Sequence, residues 1–312
     1  MKAIRIHNYG GPEELVYEDA PKPTITQDEV LIKVYAAGIN PVDWRIREGS
    51  RQNVFPATLP LIPGWDVSGV IESIGTGVTD LKNGDEVYSR PNILRDGAYA
   101  EYIAVKASEV ALKPKTVDHI SAAGVPLAAL TAWQALFDHG HLHAGQKVLI
   151  IGASGGVGPF AVQFAKWKGA TVIGVCSSKN VDFLRSLSAD QVIDYKTTKY
   201  QDVVKDVDLV FDAAGGESKA NGWKVLKKGG IFVSITGKPD TNDPEAEGKT
   251  AAGFIVLPNK EQLIQIAGLI DKGLVKPVIS TILPLSEARK GQDMLQEGKN
   301  LRGKIVLKVI DN

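Results

Sequence analysis

A glycine-rich turn between an apolar strand and a helix limits the possible folds of this 312-residue chain more than any other segment. Residues 147–151 are almost entirely apolar, and residues 157–168 have the pattern of a helix that ends at Gly169. Glycines let the backbone turn tightly here, and the helix N-terminus offers unpaired N–H groups and a positive dipole end to phosphates. The turn predicts a dinucleotide-binding loop, the alternative being a purely structural turn. The loop comprises Gly152, Ala153, Ser154, Gly155, Gly156, Val157 and Gly158.

Strand-like and helix-like segments alternate from about Asp118 onward. Runs rich in β-branched and other apolar residues, at 171–175, 208–211 and 231–235, are separated by helical segments such as 181–187. Continuous apolar strands between helices are what a parallel sheet covered on both faces requires. The sequence therefore predicts a doubly wound α/β fold for this part of the chain.

The first 110 or so residues have a different pattern. Short apolar or alternating runs, such as 29–34 and 66–74, are separated by turns such as Asp96-Gly97. This spacing is typical of an antiparallel, β-rich module. The extended runs near the C-terminus, 275–283 and 304–309, fit better as strands that rejoin this module than as extra parallel strands.

The chain length predicts two domains at roughly 100–200 residues each. We expect a discontinuous β-rich domain of residues 1–120 and 274–312 around an α/β domain of residues 121–273. The chain has 36 basic residues (Lys and Arg) and 36 acidic residues (Asp and Glu), so its formal net charge is zero. This balance argues against a nucleic-acid partner, which normally requires a basic surface.

Cysteine content and hydropathy restrict the cellular setting. Cys176 is the only cysteine, which excludes an intrachain disulfide and any site that needs several thiolates. The N-terminal residues have the pattern of a strand rather than of a secretory signal, and no apolar run approaches the ~18 residues of a membrane span. We expect a cytoplasmic protein with no membrane partner.

The end of the second predicted strand indicates which dinucleotide is bound. NAD sites usually place an acidic residue there to hold the ribose 2′-hydroxyl. Here Cys176, Ser177, Ser178 and Lys179 follow the strand, and the first acid is Asp182. Two hydroxyls and a cation suit a 2′-phosphate, so the sequence predicts NADPH rather than NADH. The alternative is that Ser177 or Ser178 only caps the next helix.

Five motifs occur in the order and spacing of a known family, over essentially the whole chain. They are residues 36–43, 63–66, 96–102, 152–158 and 302–304. The sequence thereby resembles the medium-chain dehydrogenase/reductase superfamily, and within it the zinc-free quinone oxidoreductases and the related alkenal/enone reductases. The resemblance implies a Rossmann NADP-binding domain, a GroES-like catalytic domain, and hydride transfer from NADPH to a quinone or related conjugated carbonyl compound.

The zinc ligands of other members of this superfamily are missing. Zinc-containing relatives carry a catalytic Cys, a Gly-His-Glu step and a four-Cys structural lobe. Here Asn40 stands at the Cys position, and Trp65 and Asp66 stand at the His and Glu positions. Asn is a poor zinc ligand and Trp is none, so we expect no catalytic metal and no zinc-dependent alcohol oxidation.

Three histidines, His139, His141 and His143, form the only other candidate metal site. They precede the first Rossmann strand, where a surface turn is expected. They either chelate zinc adventitiously or form a polar loop. The lack of an evident second shell of ligand-orienting residues favours the polar loop.

The resemblance also implies two catalytic positions. Asn40 follows the predicted strand 29–35, where relatives direct this residue at the substrate or nicotinamide, and its amide can stabilise an enolate-like oxygen. The alternative is a turn-forming Asn before Pro41. Arg45, after Trp44, stands where many quinone reductases have Tyr. A guanidinium cannot act as proton donor, so we expect protonation by solvent, unless Arg45 is simply solvated.

Seven further cofactor contacts are implied by the resemblance. They concern the nicotinamide carboxamide (Thr131), the adenosine 2′-phosphate (Tyr195), the ribose and ring (Ala214, Ile235, Thr236) and the closure of the nicotinamide pocket (Phe254, Val256). The alternative for each is ordinary core or turn packing.

Three functions remain open at this stage. The leading hypothesis is an NADPH-dependent reductase of quinones and conjugated carbonyls, and the nearest rival reduces only enones or alkenals. A non-catalytic NADPH-binding structural or nucleic-acid-binding protein belongs to a different class, because fold does not fix function. The resemblance further implies a homodimer paired through the edge of the Rossmann sheet.

Overall fold

The computed structural model describes residues 1–299 and 302–310. The strands, numbered in chain order, are β1 (Lys2–Arg5), β2 (Val16–Asp19), β3 (Glu29–Ile39), β4 (Val67–Ile74), β5 (Glu86–Ser89), β6 (Tyr102–Lys106), β7 (Val110–Leu112), β8 (Lys147–Ile151), β9 (Thr171–Cys176), β10 (Gln191–Asp194), β11 (Val207–Asp212), β12 (Leu226–Ser234), β13 (Thr250–Gly253), β14 (Ile279–Pro284) and β15 (Lys304–Lys308). The α-helices are α1 (Pro41–Arg47), α2 (His119–Ala123), α3 (Pro126–Trp133), α4 (Gly158–Trp167), α5 (Val181–Ser186), α6 (Tyr200–Val203), α7 (Glu217–Ala220), α8 (Gly222–Val225), α9 (Lys260–Asp271) and α10 (Ala288–Gln296).

Strands β8 to β13 form a parallel six-stranded sheet in the order β10-β9-β8-β11-β12-β13. Apolar clusters cover both of its faces, since alternate residues of β8 belong to different clusters. The prediction of a doubly wound Rossmann sheet is therefore confirmed. The strand order reverses between β8 and β11, and in such sheets ligands bind outside the carboxyl ends of the strands at this point.

A seven-stranded sheet is built from both ends of the chain. Its strands run in the order β14-β15-β3-β4-β5-β7, and β6 pairs with β3 as well. Strand β15 pairs antiparallel with β3, so that Ile305 lies opposite Ile39. The prediction that the C-terminal strands rejoin the first module is confirmed. This pairing brings the start of β15 next to the end of β3.

Each sheet has a main apolar core of its own. The core of the seven-stranded sheet includes Trp65 and Tyr99, and the core beneath the parallel sheet includes Phe160 of α4 and Ile266 of α9. Val256, just after β13, packs against both cores. The segment after β13 therefore lies where the two sheets come together.

Several elements were not predicted by the sequence pattern. Strand β13 has one β-branched residue, Thr250, followed only by Ala and Gly, and its pairing with β12 makes it a strand. Helix α1 begins directly after Asn40, where the pattern suggested only a turn. Pro41 at its first position has the fixed φ that a helix start favours. The apolar stretch before β8 forms α2 and α3, and a π-helical segment, Gln134–His139, continues α3.

No helix in the described part of the chain combines the length and the apolar character that crossing a bilayer requires.

Candidate active site

The glycine loop has the backbone geometry that a phosphate-binding turn needs. Gly152 leaves β8 with a φ of +78°, a left-handed conformation that favours glycine. A Cβ atom on Gly158 would lie 2.3 Å from the carbonyl carbon of Ala153, so only glycine allows α4 to start this close to the turn. By contrast, the nearest heavy atom to a Cβ on Gly155 would be 3.5 Å away. The loop is therefore tightly packed at its two ends and open at Gly155.

Several backbone donors of this loop are free. The N–H groups of Ser154, Gly156 and Val157 have no hydrogen-bond acceptor among residues 1–299 and 302–310. Val157 lies at the N-cap position of α4, where the positive end of the helix dipole adds to these donors. Unpaired N–H groups at the start of a ten-residue helix fit the pyrophosphate of a dinucleotide.

One side chain outside the predicted set joins the glycine loop to the end of β9. The Asn180 amide donates to Ser154 Oγ at 3.1 Å and to Ser177 Oγ at 3.4 Å. Ser177 stands at the N-cap position of a short 3-10 turn, but its side chain makes no capping hydrogen bond. Cys176 is buried, and burial raises the pKa of its thiol to about 11, so it is a packing residue without thiolate reactivity.

The proposed 2′-phosphate pocket contains an acid that the sequence pattern did not reveal. Asp194, the last residue of β10, lies opposite Cys176 in the parallel pairing. The Ser178 hydroxyl, followed by the Lys196 backbone N–H, hydrogen-bonds to the Asp194 carboxylate and lowers its pKa. Lys179 and Tyr195 are close to these residues in the sequence, and their side chains are exposed to solvent. Charges of both signs therefore flank this end of the sheet.

Asp212 organises the carboxyl ends of β11 and β12. Its side chain is fully buried, and Oδ1 accepts from the N–H groups of Ala214 at 3.1 Å and Gly215 at 2.8 Å. Oδ2 accepts from the hydroxyls of Ser234 at 2.7 Å and Thr236 at 2.8 Å. Four donors on one carboxylate hold the two loops together. Asp212 directly follows the buried apolar run 209–211, and an acid at that position is the sequence signal that could have identified this residue.

The predicted ribose contacts come together around this carboxylate. The Ile235 N–H donates to the Asp212 carbonyl at 3.2 Å, and Thr236 bonds to the same residue through its side chain. A Cβ on Gly152 would lie 3.0 Å from the Cβ of Ala214. The loops after β8, β11 and β12 therefore share one edge of the sheet, as the predicted contacts require.

Thr131 is placed differently from the other predicted contacts. It is buried in α3, and its hydroxyl donates to the Leu127 carbonyl one turn earlier, at 2.7 Å. This proton is thus satisfied within the helix, and only the oxygen lone pairs of Thr131 remain to accept a hydrogen bond.

The segment after β13 is held by a reciprocal pair of hydrogen bonds. Gln134 Nε2 donates to the Leu257 carbonyl at 2.9 Å, and the Leu257 N–H donates to Gln134 Oε1 at 3.1 Å. The Phe254 ring lies against the His139 ring, with centroids 4.4 Å apart and planes tilted by 31°, and Val256 contacts both apolar cores. Phe254 and Val256 are therefore fixed side chains between the two sheets.

A buried cluster of three polar side chains lies where β3 meets β15. Asn40, Asp66 and Lys304 are each at least 96% buried. Lys304 Nζ donates to the Ile39 carbonyl at 2.9 Å, to Asp66 Oδ2 at 3.1 Å and, through a short hydrogen bond, to Asn40 Oδ1. Asn40 Nδ2 donates to Asp66 Oδ2 at 2.8 Å, and Asp66 Oδ1 accepts from the Leu127 N–H at 2.6 Å. Lys304 is a site residue whose role the sequence pattern did not indicate.

The backbone of Asn40 is fixed by a second buried acid. Asp43 Oδ2 accepts from the Asn40 N–H at 2.8 Å and from the Tyr99 hydroxyl at 2.7 Å. Burial raises the pKa of Asp43 to about 7. Asn40 is the N-cap residue of α1, as its alternative interpretation before Pro41 suggested, and its side chain also belongs to the buried cluster.

Arg45 is separate from this cluster. Its guanidinium carbon lies 5.2 Å from the ring centroid of Trp44, and partial burial, followed by repulsion from Arg51, lowers its pKa. Among the described residues it makes no hydrogen bond with Asn40, Asp66 or Lys304. The structure therefore does not bring the two predicted catalytic residues into contact.

The candidate metal positions hold no converging ligands. No group of three or more His, Cys, Asp or Glu side chains suited to a metal ion occurs in residues 1–299 and 302–310. The His139 ring lies against the Phe254 ring, with centroids 4.4 Å apart. At the positions that carry zinc ligands in zinc-containing relatives, Asn40 and Asp66 are joined by the Lys304 ammonium.

Comparison with known proteins agrees with this fold. Two family models match the chain, "Alcohol dehydrogenase GroES-like domain" over residues 26–115 and "Zinc-binding dehydrogenase" over residues 187–307. An NADPH-dependent alkenal/one oxidoreductase of Arabidopsis thaliana is 38% identical, over 98% of this chain and 79% of the relative. A quinone oxidoreductase of Rattus norvegicus is 35% identical, over 98% of this chain and 97% of the relative. The solved quinone oxidoreductase of Coxiella burnetii superposes with a TM-score of 0.90 at 33% identity, covering 99% of both chains.

A Rossmann sheet with a phosphate-binding loop, beside a GroES-like β-rich unit, defines an oxidoreductase fold of the medium-chain type. The chain belongs to the medium-chain dehydrogenase/reductase superfamily, and within it to the subgroup of quinone and enone reductases.

Proposed function

We propose that this protein is an NADPH-dependent reductase that transfers hydride to quinones or related conjugated carbonyl compounds. One observation carries the proposal: the glycine loop and the buried Asn40 cluster adjoin each other. The Gly303 N–H donates to the Ser154 carbonyl at 3.1 Å, and the next residue, Lys304, bonds to Asn40. The glycine loop and the Asn40 amide therefore lie on either side of the short segment formed by Gly303 and Lys304. The names of the plant and rat relatives support the same chemistry.

The residues of the chain fit NADPH along one edge of the parallel sheet. The free N–H groups of the glycine loop bind the pyrophosphate, and the loops around Asp212 bind the ribose. When bound, NADPH supplies the hydride. The 2′-phosphate is bound by Ser177, Lys179 and Tyr195, whereas the negative charge of Asp194 repels it. Phe254 and Val256 exclude water from the nicotinamide pocket, because both are held against apolar cores.

Asn40 is the proposed donor to the reacting oxygen. Reduction of a conjugated carbonyl develops negative charge on that oxygen, and a preorganised N–H donor stabilises such charge. One Nδ2 proton of Asn40 is bonded to Asp66, and the other has no acceptor in the described part of the chain. Arg45 is the second proposed position, acting as a fixed cation, and the proton that completes the reaction comes from solvent because a guanidinium does not release one.

We also propose that the reaction needs no zinc. An Asn oxygen is a poor zinc ligand, and the indole of Trp65 donates to the Arg95 carbonyl rather than offering a ligand atom. The Lys304 ammonium already supplies a positive charge between Asn40 and Asp66. Full activity after treatment with a chelator, with no metal in the protein, is the expected result, and zinc retained in stoichiometric amount would contradict it.

The activity is tested by measuring NADPH oxidation with a quinone, an alkenal and an enone, and NADP⁺ reduction with an alcohol. We expect turnover of the quinone and the conjugated carbonyls and none of the alcohol. Turnover of only the alkenal and enone supports the narrower reductase. NADPH binding without turnover of any acceptor supports a non-catalytic binder, and absence of NADPH binding overturns the proposal.

Four further properties are proposed. The domains are residues 1–120 with 274–312 and residues 121–273, of which residues 300, 301, 311 and 312 lie outside the described part of the chain. We also propose a homodimer. The single cysteine supports a cytoplasmic location, and the zero net formal charge supports the absence of a nucleic-acid partner.

A further inference from the structure

We propose that Lys304 and Asp66 are positioning residues that set the orientation of the Asn40 amide for the reduction. The inference rests on the proposed role of Asn40 as hydrogen-bond donor. It assigns a role in the reaction to two residues that make no contact with the reacting atoms, and it concerns the buried cluster at the junction of β3 and β15.

The chemistry of the two partners allows only one orientation of the amide. An ammonium is only a donor and an ionised carboxylate is only an acceptor. Lys304 Nζ donates to Asn40 Oδ1, and Asp66 Oδ2 accepts from Asn40 Nδ2 at 2.8 Å. Turning the amide by 180° would set N–H groups against the ammonium and an oxygen against the carboxylate. Asn40 is thus held in one of its two flip states.

Hydrogen-bond capacity shows which member of the cluster can serve a substrate. Lys304 has three N–H donors, and all three have acceptors: Ile39, Asn40 and Asp66. Asp66 uses one carboxylate oxygen for Leu127 and the other for Asn40 and Lys304. Of these three side chains, only that of Asn40 retains an N–H that has no acceptor among the described residues. The ion pair therefore acts through Asn40 rather than on a ligand directly.

Lys304 also links this cluster to the phosphate loop. Its Cδ lies 3.3 Å from where a Cβ on Gly156 would stand, so its aliphatic stem passes under the loop. The preceding residue, Gly303, has a φ of +63° and donates its N–H to Ser154. A shift of the glycine loop therefore moves the ammonium that holds Asn40. This contact gives a physical route from the cofactor loop to the reacting amide.

Stability alone is a weak reason for burying these charges. Replacing a buried ion pair by packed apolar side chains is often neutral or stabilising, because desolvation offsets the attraction between the charges. A buried charged pair that orients a neighbouring amide has a use that apolar residues cannot provide. The prediction is that loss of the pair harms turnover even where folding is preserved.

The test compares Lys304→Met, Asp66→Asn, the neutral double variant Lys304→Met/Asp66→Asn, Asn40→Ala and the double variant Lys304→Met/Asn40→Ala, with Lys308→Met as control. Lys308 is an exposed lysine at the other end of the same strand, so its replacement should change neither turnover nor cofactor affinity. Each variant is assayed for kcat, KM, NADPH affinity by fluorescence titration, and Tm. The side-chain amide signals of Asn40, identified by their loss in Asn40→Ala, are followed by nitrogen-15 NMR.

We expect Lys304→Met and Asp66→Asn to lower kcat by about 10- to 100-fold, with little change in NADPH affinity. Losses of this order are seen when a reacting group is misplaced or a charge-stabilising donor is lost. Lys304→Met alone leaves Asp66 without its counter-charge and should lower Tm. The double variant removes both charges, so its Tm should recover while its kcat stays low. In the Asn40→Ala background, Lys304→Met should cost less than about twofold further, because the residues act as one unit.

Three results of the kinetic and Tm measurements would overturn the inference. They are an unchanged kcat in Lys304→Met, recovery of kcat together with Tm in the double variant, and additive losses in Lys304→Met/Asn40→Ala. The NMR signals separate this inference from the proposed function. If the wild type turns over no acceptor but Lys304→Met shifts the Asn40 amide signals, the activity is wrong while the positioning stands. Unchanged amide signals contradict the positioning whatever the activity.

Discussion

Lys304 Nζ lies 3.1 Å from Asp66 Oδ2, although 238 residues separate the two in the chain. Asp66 immediately precedes β4 and Lys304 begins β15, and β3 lies between these strands in the sheet. The contact therefore exists only because the C-terminal strand returns to the first module. It also sets the electrostatic character of the proposed active site, since a protein ammonium provides the positive charge beside Asn40.

Gly158→Ala is expected to weaken both folding and NADPH binding. The new methyl group would lie 2.3 Å from the Ala153 carbonyl carbon, which is backbone and cannot move aside cheaply. A cost of about 1–3 kcal/mol is typical of such overpacking. Thermal unfolding and NADPH titration measure the two effects. Gly268→Ala is the matched control, because nothing lies within 4 Å of its added Cβ in α9. It should be neutral or slightly stabilising. Equal behaviour of the two variants would contradict the packing argument.

Asp212→Ala should lower stability and NADPH affinity more than Asp212→Asn. The alanine leaves two backbone N–H groups and two hydroxyls without their shared acceptor, and a buried unsatisfied group costs about 1–3 kcal/mol. In the asparagine variant the amide oxygen still accepts from Ala214 and Gly215, and the hydroxyls of Ser234 and Thr236 can rotate to accept from the amide. Urea unfolding with an NADPH titration tests the order. A milder effect of alanine would show that the carboxylate does not organise these loops.

Lys179→Ala and Asp194→Asn should shift cofactor preference in opposite directions. Removing the cation should raise KM for NADPH by about 3- to 10-fold with little effect on NADH, since an exposed charge contributes on the order of 1 kcal/mol. Removing the acid should lower KM for NADPH, because the Asp194 carboxylate no longer repels the 2′-phosphate. Both effects should shrink at high salt. Lys272→Ala, an exposed lysine after α9, is the control. Equal use of NADH and NADPH by the wild type would contradict the predicted preference.

The pKa of Asp43, raised to about 7 by burial, predicts a specific dependence of stability on pH. The folded state holds this proton more tightly than the unfolded chain, whose Asp pKa is about 3.9. The contribution to stability is thus fully present below about pH 4 and is lost as the pH rises through about 7. Asp43→Asn cannot titrate, so its Tm deficit relative to wild type should be larger at pH 5 than at pH 8. Asp202→Asn, at an exposed position of α6, should show a constant difference. A pH-independent deficit for Asp43→Asn would argue against a raised pKa.

The sequence pattern predicted most of the fold because periodicity is a local property. Residues 147–151 were predicted with the bounds that the structure shows for β8. Strand β13 was not predicted because three of its four residues are Ala or Gly, which have low β-propensity, and its pairing with β12 defines it. Helix α1 was read as a turn because a seven-residue helix after Asn-Pro has too little periodicity to recognise.

The site was predicted to a smaller extent. The glycine loop and the contacts at Ala214, Ile235 and Thr236 do gather at one sheet edge. The carboxylate that holds them, Asp212, and the amide that bridges to the loop, Asn180, were missed. Both act through hydrogen bonds to residues on other loops, and a single sequence contains no sign of such partners.

The amino-acid sequence by itself determined most of the strands and helices, the position of the glycine loop between β8 and α4, and that the zinc-ligand positions carry Asn40, Trp65 and Asp66. These properties depend on residue type and on neighbours within a few positions. The tertiary structure alone decided that Lys304 meets Asn40 and Asp66, because that contact depends on which strands pair, and strand pairing is set by the packing of whole sheets rather than by any local run of residues.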